Sequence, residues 1–209
     1  MKSLGVFSTT RAEFGIFSAL LAAIKKRSDL EFKLFVGGTH LAAEHGKTVQ
    51  EIDSNGYEIA ATFDYLLNDD TSAGLTKSTG VAAFELANLF ENHTFDAVCI
   101  LGDRFELLPI ATTAILYKKP IIHIHGGEST EGIIDEQVRH MITKAAHLHF
   151  VSCEEYGSNV RRMGEPSHRV HNVGSLSIDN VSNVPRVAKS ELFAELGLDP
   201  DRPTMLVTY

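Results

Sequence analysis

Short β-type runs alternate with amphipathic stretches along most of the chain, and this alternation constrains the fold more than any other feature. The stretches EFGIFSALLAAIKKR and RFELLPIATTAILYKK place apolar residues three and four positions apart, as helices do. The pattern predicts βαβ units, and hence an α/β fold: a doubly wound, Rossmann-like parallel sheet with helices on both faces. The runs are SLGVFS, EFKLFVGG, EIAATF, DAVCILGD, PIIHIHGG, LHFVSC and HRVHNVGS.

The apolar runs AVCIL and PIIHI are nearly continuous, which is typical of central strands covered on both faces. In open parallel sheets, ligands bind outside the carboxyl ends of the strands. We therefore look for functional residues directly after each run.

The last part of the chain differs from the rest. Between Val184 and Pro203 lie three prolines and a short helical stretch, KSELFAELGL, before the apolar run TMLVTY. We expect one domain over residues 1–179, and over 180–209 a linker and the opening strand of a truncated second domain. The polar stretch from Asn68 to Gly80 is predicted to be a mobile connection or a substrate loop.

The charge balance and the cysteines exclude several classes of protein. With 27 acidic and 19 basic residues in 209, the net charge of -8 does not favour a nucleic-acid-binding or anionic-membrane surface. Cys99 and Cys153 lie far apart in apolar runs without metal-site spacing, so we expect two buried, reduced thiols. The start MKSLGVFSTTR has too short an apolar run for a signal peptide, and no later run approaches 18 apolar residues. A cytoplasmic protein is therefore the simplest expectation.

The first strand is followed by STTRAEFG, which leads into a helix. The free amides and positive dipole end of a helix N-terminus suit a phosphate, and Arg11 would add a charge-assisted hydrogen bond. The alternative is a threonine N-cap with a solvated Arg11, and the residues alone do not decide between the two. Neither GxGxxG nor a Walker A sequence is present.

The fourth strand ends in ILGDRFE, which places Asp103 directly after a glycine at the carboxyl end. There its carboxylate can face a ligand. From position alone, the role of N-cap for the following helix is slightly favoured.

Two histidines, His123 and His125, alternate at the end of the fifth strand. On a strand they would share one face, as an HxH metal pair does. A metal would need further ligands, for which Asp103, Glu128 and Asp135 are the candidates. A hydrogen-bonded core histidine is the more common fate of His123, and we do not expect a metal.

Beyond this strand, Gly126 and Gly127 lack side chains, so a ligand can approach the backbone closely, and Glu128 follows at the outer edge. In the next helix, Asp135 and Arg139 are four apart and share a face.

Glu136 and His140 are spaced in the same way. Taken singly, these are ordinary helix pairs worth only tenths of a kcal/mol.

Four ionisable residues nevertheless follow two successive strands: Asp103, His125, Glu128 and Asp135. Carboxylates crowded around one cleft can have their pKa values pushed apart, which supplies an acid and a base near neutral pH. The pattern therefore favours acid/base chemistry.

The motifs TTRAEFG, ILGDRFE, HIHGGESTEGIIDEQVRHMITKAAHLHFVS and NVGS together resemble the hydrolysing UDP-N-acetylglucosamine 2-epimerases that open sialic acid and legionaminic acid synthesis. The resemblance implies the N-terminal half of a glycosyltransferase-B architecture, with the UDP-sugar between two Rossmann-like domains. It also implies a reaction without metal or cofactor. A base removes the proton at sugar carbon 2, UDP leaves to give a glycal, and water adds to release an N-acetylmannosamine-type sugar.

The resemblance also implies roles for individual residues. Arg11 matches an arginine that contacts the diphosphate, and Asp103 matches an acid/base aspartate. Asp135 and Arg139 match an acid and an arginine of the helix. At His125 many relatives carry glutamate, so either His125 or Glu128 is expected to be the second acid/base group.

Several alternatives stay open on this sequence. The substrate is expected to be UDP-N-acetylglucosamine, or UDP-N,N'-diacetylbacillosamine with the same chemistry. A non-hydrolysing epimerase, a catalytically silent UDP-sugar-binding module and a metal-dependent hydrolase are the other candidates. Relatives form homodimers or larger assemblies, so we expect a homo-oligomer of the full-length protein. The 209 residues alone should be nearly inactive, because they supply one wall of the cleft.

Overall fold

A computed structural model describes residues 1–183 and 186–208, apart from the side chains of His45 and Asn183. Its centre is one seven-stranded sheet in which every neighbouring pair is parallel. The strands are β1 (Lys2–Ser8), β2 (Leu30–Gly37), β3 (Ile59–Phe63), β4 (Ala97–Leu101), β5 (Ile121–Ile124), β6 (Leu148–Val151) and β7 (Val170–Asn172). Their spatial order is β3-β2-β1-β4-β5-β6-β7.

Helices connect these strands and cover both faces of the sheet. They are α1 (Arg11–Lys25), α2 (Val49–Ser54), α3 (Ser72–Asn92), α4 (Leu107–Leu116), α5 (Ile134–Ala145), α6 (Glu154–Arg162), α7 (Leu176–Asn183) and α8 (Lys189–Glu195). The strand order reverses between β1 and β4, which is the switch point of a doubly wound sheet. The predicted Rossmann-like α/β fold is therefore confirmed.

Alternating residues of the central strands supply two separate cores. On β1, Phe7 packs into a core with α3, α4 and α5, whereas Val6 packs with α1 on the other face. Both side chains are completely buried. This burial on both faces explains why the central strands read as continuous apolar runs.

The stretch from Asn68 to Gly80 is not the mobile loop that its composition predicted, because α3 begins at Ser72. The Thr71 hydroxyl caps this helix by accepting a hydrogen bond from the Gly74 amide at 3.1 Å. Ser78 is completely buried in the helix and accepts from the Leu67 amide at 3.1 Å. The small polar residues therefore serve close packing, which composition alone does not distinguish from a loop.

The segment after residue 179 differs from the expectation at its start. Helix α7 continues past Asp179 to Asn183, and the Asn180 side chain donates to the Gly15 carbonyl of α1 at 2.6 Å. Residues 204–208 have no regular secondary structure and no neighbouring strand among the described residues, so the opening strand of a second domain stays a prediction. Tyr209 lies outside the described residues.

The two cysteines are in different environments. Cys99 is buried on β4, and burial raises the pKa of its thiol to about 12. Cys153 is only partly buried at the start of α6, so the prediction of two buried thiols holds for Cys99 alone. Among the described residues, no helix combines the length and apolarity needed to span a membrane.

Candidate active site

The carboxyl ends of β4 and β5 lie side by side, because Leu101 pairs with Ile124 and the Gly102 amide donates to the Ile124 carbonyl at 3.0 Å. Asp103 follows β4 and His125 follows β5. The sequence therefore brings these two residues to one edge, as their positions after successive strands predicted.

Asp103 forms an ion pair with Arg139 of α5. The Arg139 side chain is only 4% exposed, whereas the Asp103 carboxylate is 26% exposed at the sheet edge. The role of N-cap suggested for Asp103 is wrong, since α4 begins only at Leu107 and has no side-chain cap. The buried arginine instead holds the carboxylate toward solvent.

Arg139 also holds the loop that follows β5. Its guanidinium donates to the Glu128 carbonyl at 2.8 Å and to the Thr130 hydroxyl at 3.1 Å. A planar group with five fixed donors is suited to joining several acceptors. One arginine therefore fixes Asp103 and the β5–α5 loop relative to each other.

His125 has a φ of 63°, in the left-handed region that non-glycine residues seldom occupy. Its amide donates to the Phe150 carbonyl at 2.9 Å, and its Nδ1 lies 3.3 Å from Glu128 Oε1. The same carboxylate oxygen accepts a hydrogen bond from the Ser152 hydroxyl at 3.0 Å. Burial alone would raise the pKa of Glu128, but the hydrogen bonds from His125 and Ser152 outweigh it and leave the pKa lowered.

We call Asp103, His125, Glu128 and Arg139 the β4–β5 cluster. Their contacts connect a strand end, a left-handed turn and a helix.

His123 does not form a metal pair with His125, because β5 ends at Ile124 and the strand alternation stops there. The His123 ring is completely buried, with Nε2 2.8 Å from the Gly102 carbonyl and Nδ1 3.2 Å from the Thr143 hydroxyl. Burial lowers its pKa to about 4, so the ring is neutral at physiological pH. This is the hydrogen-bonded core histidine considered from the sequence.

The two glycines after His125 have packing roles. A Cβ on Gly126 would lie 2.8 Å from His123 Nδ1, and one on Gly127 would lie 2.4 Å from the Tyr156 carbonyl. Gly127 also has a φ of 78°. Both missing side chains are therefore explained by neighbouring protein atoms, and their predicted contact with substrate stays a prediction.

The other acidic residues of α5 behave differently from each other. Asp135 lies half-buried in the first turn and forms no ion pair or hydrogen bond with any described side chain. Glu136 accepts from the Thr130 amide at 2.7 Å and lies 3.7 Å from His140 Nε2. The predicted Glu136–His140 pair is thus present, while Arg139 pairs with Asp103 instead of Asp135.

At the start of α1, the capping interpretation is confirmed. The Glu13 amide donates to the Thr10 hydroxyl at 3.3 Å, and the Glu13 carboxylate accepts from the Thr10 amide at 3.2 Å. The Arg11 side chain is 72% exposed and forms an ion pair with Glu51 at 2.9 Å. Its predicted contact with a diphosphate stays a prediction.

A second polar group lies at the same edge and was not predicted from the sequence. We call it the β1–β4 cluster; it consists of Glu13, Tyr65, Arg104 and Glu106. Burial raises the pKa of Glu13 to about 7, even though the Thr9 amide and hydroxyl donate to its Oε2 at 2.8 Å. Burial, followed by the charges of Glu106 and Glu13, raises the pKa of Tyr65.

Three buried oxygens of the β1–β4 cluster lack a hydrogen-bond partner among the described residues: Glu13 Oε1, Tyr65 Oη and Glu106 Oε2. Glu106 Oε1 accepts from Arg104 at 2.8 Å. Only the acidic residue three positions into α1 carried a sequence signal, because Thr10 and Glu13 form a capping-box pattern.

The fold and site define a class of protein: a doubly wound, Rossmann-like α/β domain with a cluster of ionisable side chains at the carboxyl edge of its sheet. The family model described as UDP-N-acetylglucosamine 2-epimerase matches residues 22–209. The chain belongs to this family.

Named relatives agree with this assignment. The chain is 36% identical over 208 residues to GDP/UDP-N,N'-diacetylbacillosamine 2-epimerase (hydrolyzing) of Campylobacter jejuni, covering all of this chain and 54% of the relative. It is 33% identical over 200 residues to UDP-N,N'-diacetylbacillosamine 2-epimerase (hydrolyzing) of Legionella pneumophila, covering 96% of this chain and 53% of the relative. The chain thus spans about half the length of these curated relatives.

A solved structure supports the fold. UDP-GlcNAc 2-epimerase from Neisseria meningitidis bound to UDP-GlcNAc superposes with a TM-score of 0.74 at 20% identity, covering 95% of this chain and 52% of that one. The similarity extends the Rossmann-like assignment to the glycosyltransferase-B type of fold.

Proposed function

We propose that the protein is a hydrolysing UDP-sugar 2-epimerase, which converts a UDP-linked 2-acetamido sugar into UDP and the free sugar inverted at carbon 2. The observation that carries this proposal is the β4–β5 cluster, placed at the carboxyl edge of the sheet in a member of the epimerase family. Two relatives at 36% and 33% identity are named as hydrolysing 2-epimerases, which supports the hydrolytic outcome.

The reaction needs a base on one face of the sugar and an acid on the other. The base takes the proton of carbon 2, the released electron pair forms a double bond to carbon 1, and the bond from carbon 1 to the UDP oxygen breaks. Water then adds to carbon 1 while an acid protonates carbon 2 from the opposite face. We propose Asp103, His125, Glu128 and Asp135 as the groups from which the acid and base come.

Substrate binding is the proposed role of the neighbouring residues. Arg11 is exposed beside the N-terminus of α1, where a diphosphate would be stabilised by both charge and helix dipole. Arg139, Gly126 and Gly127 shape the turn under the sugar.

UDP-N-acetylglucosamine and UDP-N,N'-diacetylbacillosamine are the two proposed substrates. They share the uridine diphosphate, the 2-acetamido group and the proton at carbon 2, so the same cluster can act on both. The names of the Campylobacter and Legionella relatives favour the second.

The remaining parts of the proposal concern the whole protein. We propose that a second Rossmann-like domain, beginning after the linker, contributes the uracil and ribose contacts, and that the complete enzyme acts in the cytoplasm as a homo-oligomer. We propose no cofactor and no nucleic-acid or membrane partner. The net charge of -8 fits a site where local arginines bind the anionic substrate.

Proton NMR in heavy water tests the proposal on the protein at its natural length. We expect free UDP to accumulate with the manno-configured sugar carrying deuterium at carbon 2, and we expect turnover to persist with a strong chelator. UDP-linked product without free UDP would mean a non-hydrolysing epimerase. Both substrates recovered intact would leave a binding module, and inhibition by the chelator would support a metal-dependent hydrolase.

A further inference from the structure

The two histidines around the end of β5 differ in one respect that bears on chemistry. Both ring nitrogens of His123 have partners, namely the Gly102 carbonyl and the Thr143 hydroxyl. In His125 only Nδ1 has a neighbour, Glu128 Oε1 at 3.3 Å, and Nε2 is buried without a partner among the described residues. An unpaired buried polar atom costs about 1–3 kcal/mol. His140 and His149 each have one such nitrogen among the described residues as well, so this cost distinguishes His125 only in combination with its backbone.

The backbone adds a second cost at the same residue. His125 has a φ of 63°, and a non-glycine residue in the left-handed region is strained by about 1–3 kcal/mol. Such strain clusters at functional sites, where the surrounding structure holds the residue in place. The His125 amide is fixed by the Phe150 carbonyl at 2.9 Å, and Gly127 fits against α6.

The neighbours of Nδ1 decide which nitrogen carries the proton. The carboxylate of Glu128 is kept charged by its hydrogen bonds, and a charged carboxylate only accepts hydrogen bonds. Glu128 Oε1 already accepts from the Ser152 hydroxyl at 3.0 Å, which holds its orientation. The hydrogen between His125 and Glu128 therefore belongs to Nδ1, and in the neutral ring Nε2 keeps a free lone pair.

We propose that His125 is the catalytic base of the elimination, with Nε2 as the reacting atom, and that Glu128 is a positioning residue which fixes the Nδ1–H form of the ring. Ser152 in turn fixes Glu128. The inference rests on the proposed epimerase function, and it decides between His125 and Glu128 as the second acid/base group.

The proposed step is balanced within the substrate and one side chain. Nε2 takes the proton of carbon 2, the C–H electron pair becomes the double bond between carbons 1 and 2, and the bond to UDP breaks with its electrons on the phosphate oxygen. The resulting imidazolium is stabilised by the Glu128 carboxylate, as an oriented histidine is in other acid/base sites. The ring is 13% exposed, so Nε2 lies just under the edge, and substrate binding has to shift the surrounding side chains to reach it.

The first test needs no turnover. Nitrogen-15 NMR of histidine-labelled protein at its natural length reports the proton on each ring nitrogen, and His125→Asn identifies the signal because asparagine tolerates left-handed backbone. We expect an Nδ1–H ring in the wild type and loss of this preference in Glu128→Gln. An Nε2–H or doubly protonated His125, or a tautomer indifferent to Glu128→Gln, would overturn the proposal.

The second test separates positioning from folding. We expect His125→Asn to lower kcat about 10²- to 10⁴-fold, the usual range for losing a general base. Glu128→Gln should lower kcat about 10- to 100-fold with little change in KM, as loss of an orienting partner does. Ser152→Ala should act in the same direction and less strongly.

Glu165→Gln is the matched control, because Glu165 Oε2 lies 3.3 Å from His149 Nε2, the same distance as in the proposed pair, but at a histidine within the sheet. We expect less than a threefold change in kcat there. Full activity in His125→Asn or Glu128→Gln would refute the inference and leave the epimerase function standing. No turnover of any UDP-sugar by the wild type would refute the function, while the tautomer measurement would still decide whether the pair exists.

Discussion

The β4–β5 cluster and the β1–β4 cluster lie at the same edge of one sheet, yet they treat their acidic groups in opposite ways. In the first, the Asp103 and Glu128 carboxylates are partly exposed, and arginine, histidine and serine side chains contact them. In the second, Glu13 and Glu106 are at most 5% exposed, and each has one oxygen that finds no partner within the described part of the chain.

The difference shows that burial alone does not indicate a functional site. Hydrogen bonds lower the pKa of Glu128 despite its burial, so its charge is available near neutral pH. Around Glu13, burial outweighs the hydrogen bonds from Thr9 and raises the pKa to about 7. The β4–β5 cluster therefore keeps the Glu128 charge at the sheet edge, whereas the β1–β4 cluster brings together residues that follow β1, β3 and β4.

Asp103→Asn should produce the largest effect, a loss of about 10³-fold in kcat, because an amide cannot exchange the proton that acid/base chemistry requires. UDP release measured on the protein at its natural length tests this. Asp53→Asn, an exposed change on α2, is the control and should leave kcat unchanged. An Asp103→Asn enzyme with normal kcat would remove Asp103 from the chemistry.

Arg139→Met should lower the free energy of unfolding by about 3 kcal/mol, since removing one partner of a buried ion pair leaves the other charge uncompensated. Urea unfolding measures the change. In the control Arg161→Met, the lost pair with Glu154 is exposed on the glutamate side, and we expect about 1 kcal/mol or less. Equal losses in the two variants would show that the β4–β5 cluster is not organised by Arg139.

Glu13→Gln should change how stability depends on pH. The folded-state pKa of Glu13, about 7, lies above its ordinary value of 4.5, so the native protein holds this proton more tightly than the unfolded chain. The contribution of this proton to the free energy of unfolding is fully present below pH 4.5. It is lost as pH rises from 4.5 through 7, and the total loss is up to about 3 kcal/mol.

Urea unfolding gives the free energy of unfolding of the wild type and of Glu13→Gln at each pH from 4.5 to 8. The difference between the two proteins removes the contributions of other titrating groups, such as His123. As pH rises, the free energy of unfolding of the wild type should fall relative to that of the variant. Glu31→Gln, at an exposed position, should track the wild type. A constant difference across this range would mean that Glu13 is charged in the folded protein, as Glu128 is.

Arg11→Gln should have the smallest effect, about a tenfold loss in UDP affinity, which corresponds to one charge-assisted contact. Calorimetry on the protein at its natural length measures it. Arg27→Gln removes another exposed arginine, which pairs with Asp29 after the other end of α1, and this variant should bind UDP normally. If the wild type, Arg11→Gln and Arg27→Gln all bound UDP with equal affinity, the diphosphate would not contact Arg11.

The fold was predictable because its signals are local. Each strand run is short and apolar, and each helix has its own periodicity, so the order of elements follows from reading along the chain. The positions of Asp103 and His125 followed from the rule for parallel sheets. Their partners did not: whether Arg139 contacts Asp103 or Asp135 depends on how α5 packs against the sheet, and spacing favoured the wrong acid.

The β1–β4 cluster was missed for a related reason. Tyr65 and Glu106 are distant from Glu13 in sequence, and each is ordinary in its own segment. Only the sheet order β3-β2-β1-β4 brings the loops after β1, β3 and β4 to one region of the sheet edge. The helix from Ser72 was missed because serine, threonine and glycine are common both in loops and where helices pack closely.

The left-handed backbone at His125 also limits what natural variation can place there. A library of all residues at position 125, selected only for folding, would be enriched in glycine, asparagine, aspartate and histidine and depleted in valine and isoleucine. A selection for proton transfer would instead retain side chains that titrate. The two requirements overlap at histidine and aspartate, so few single substitutions at this position satisfy both.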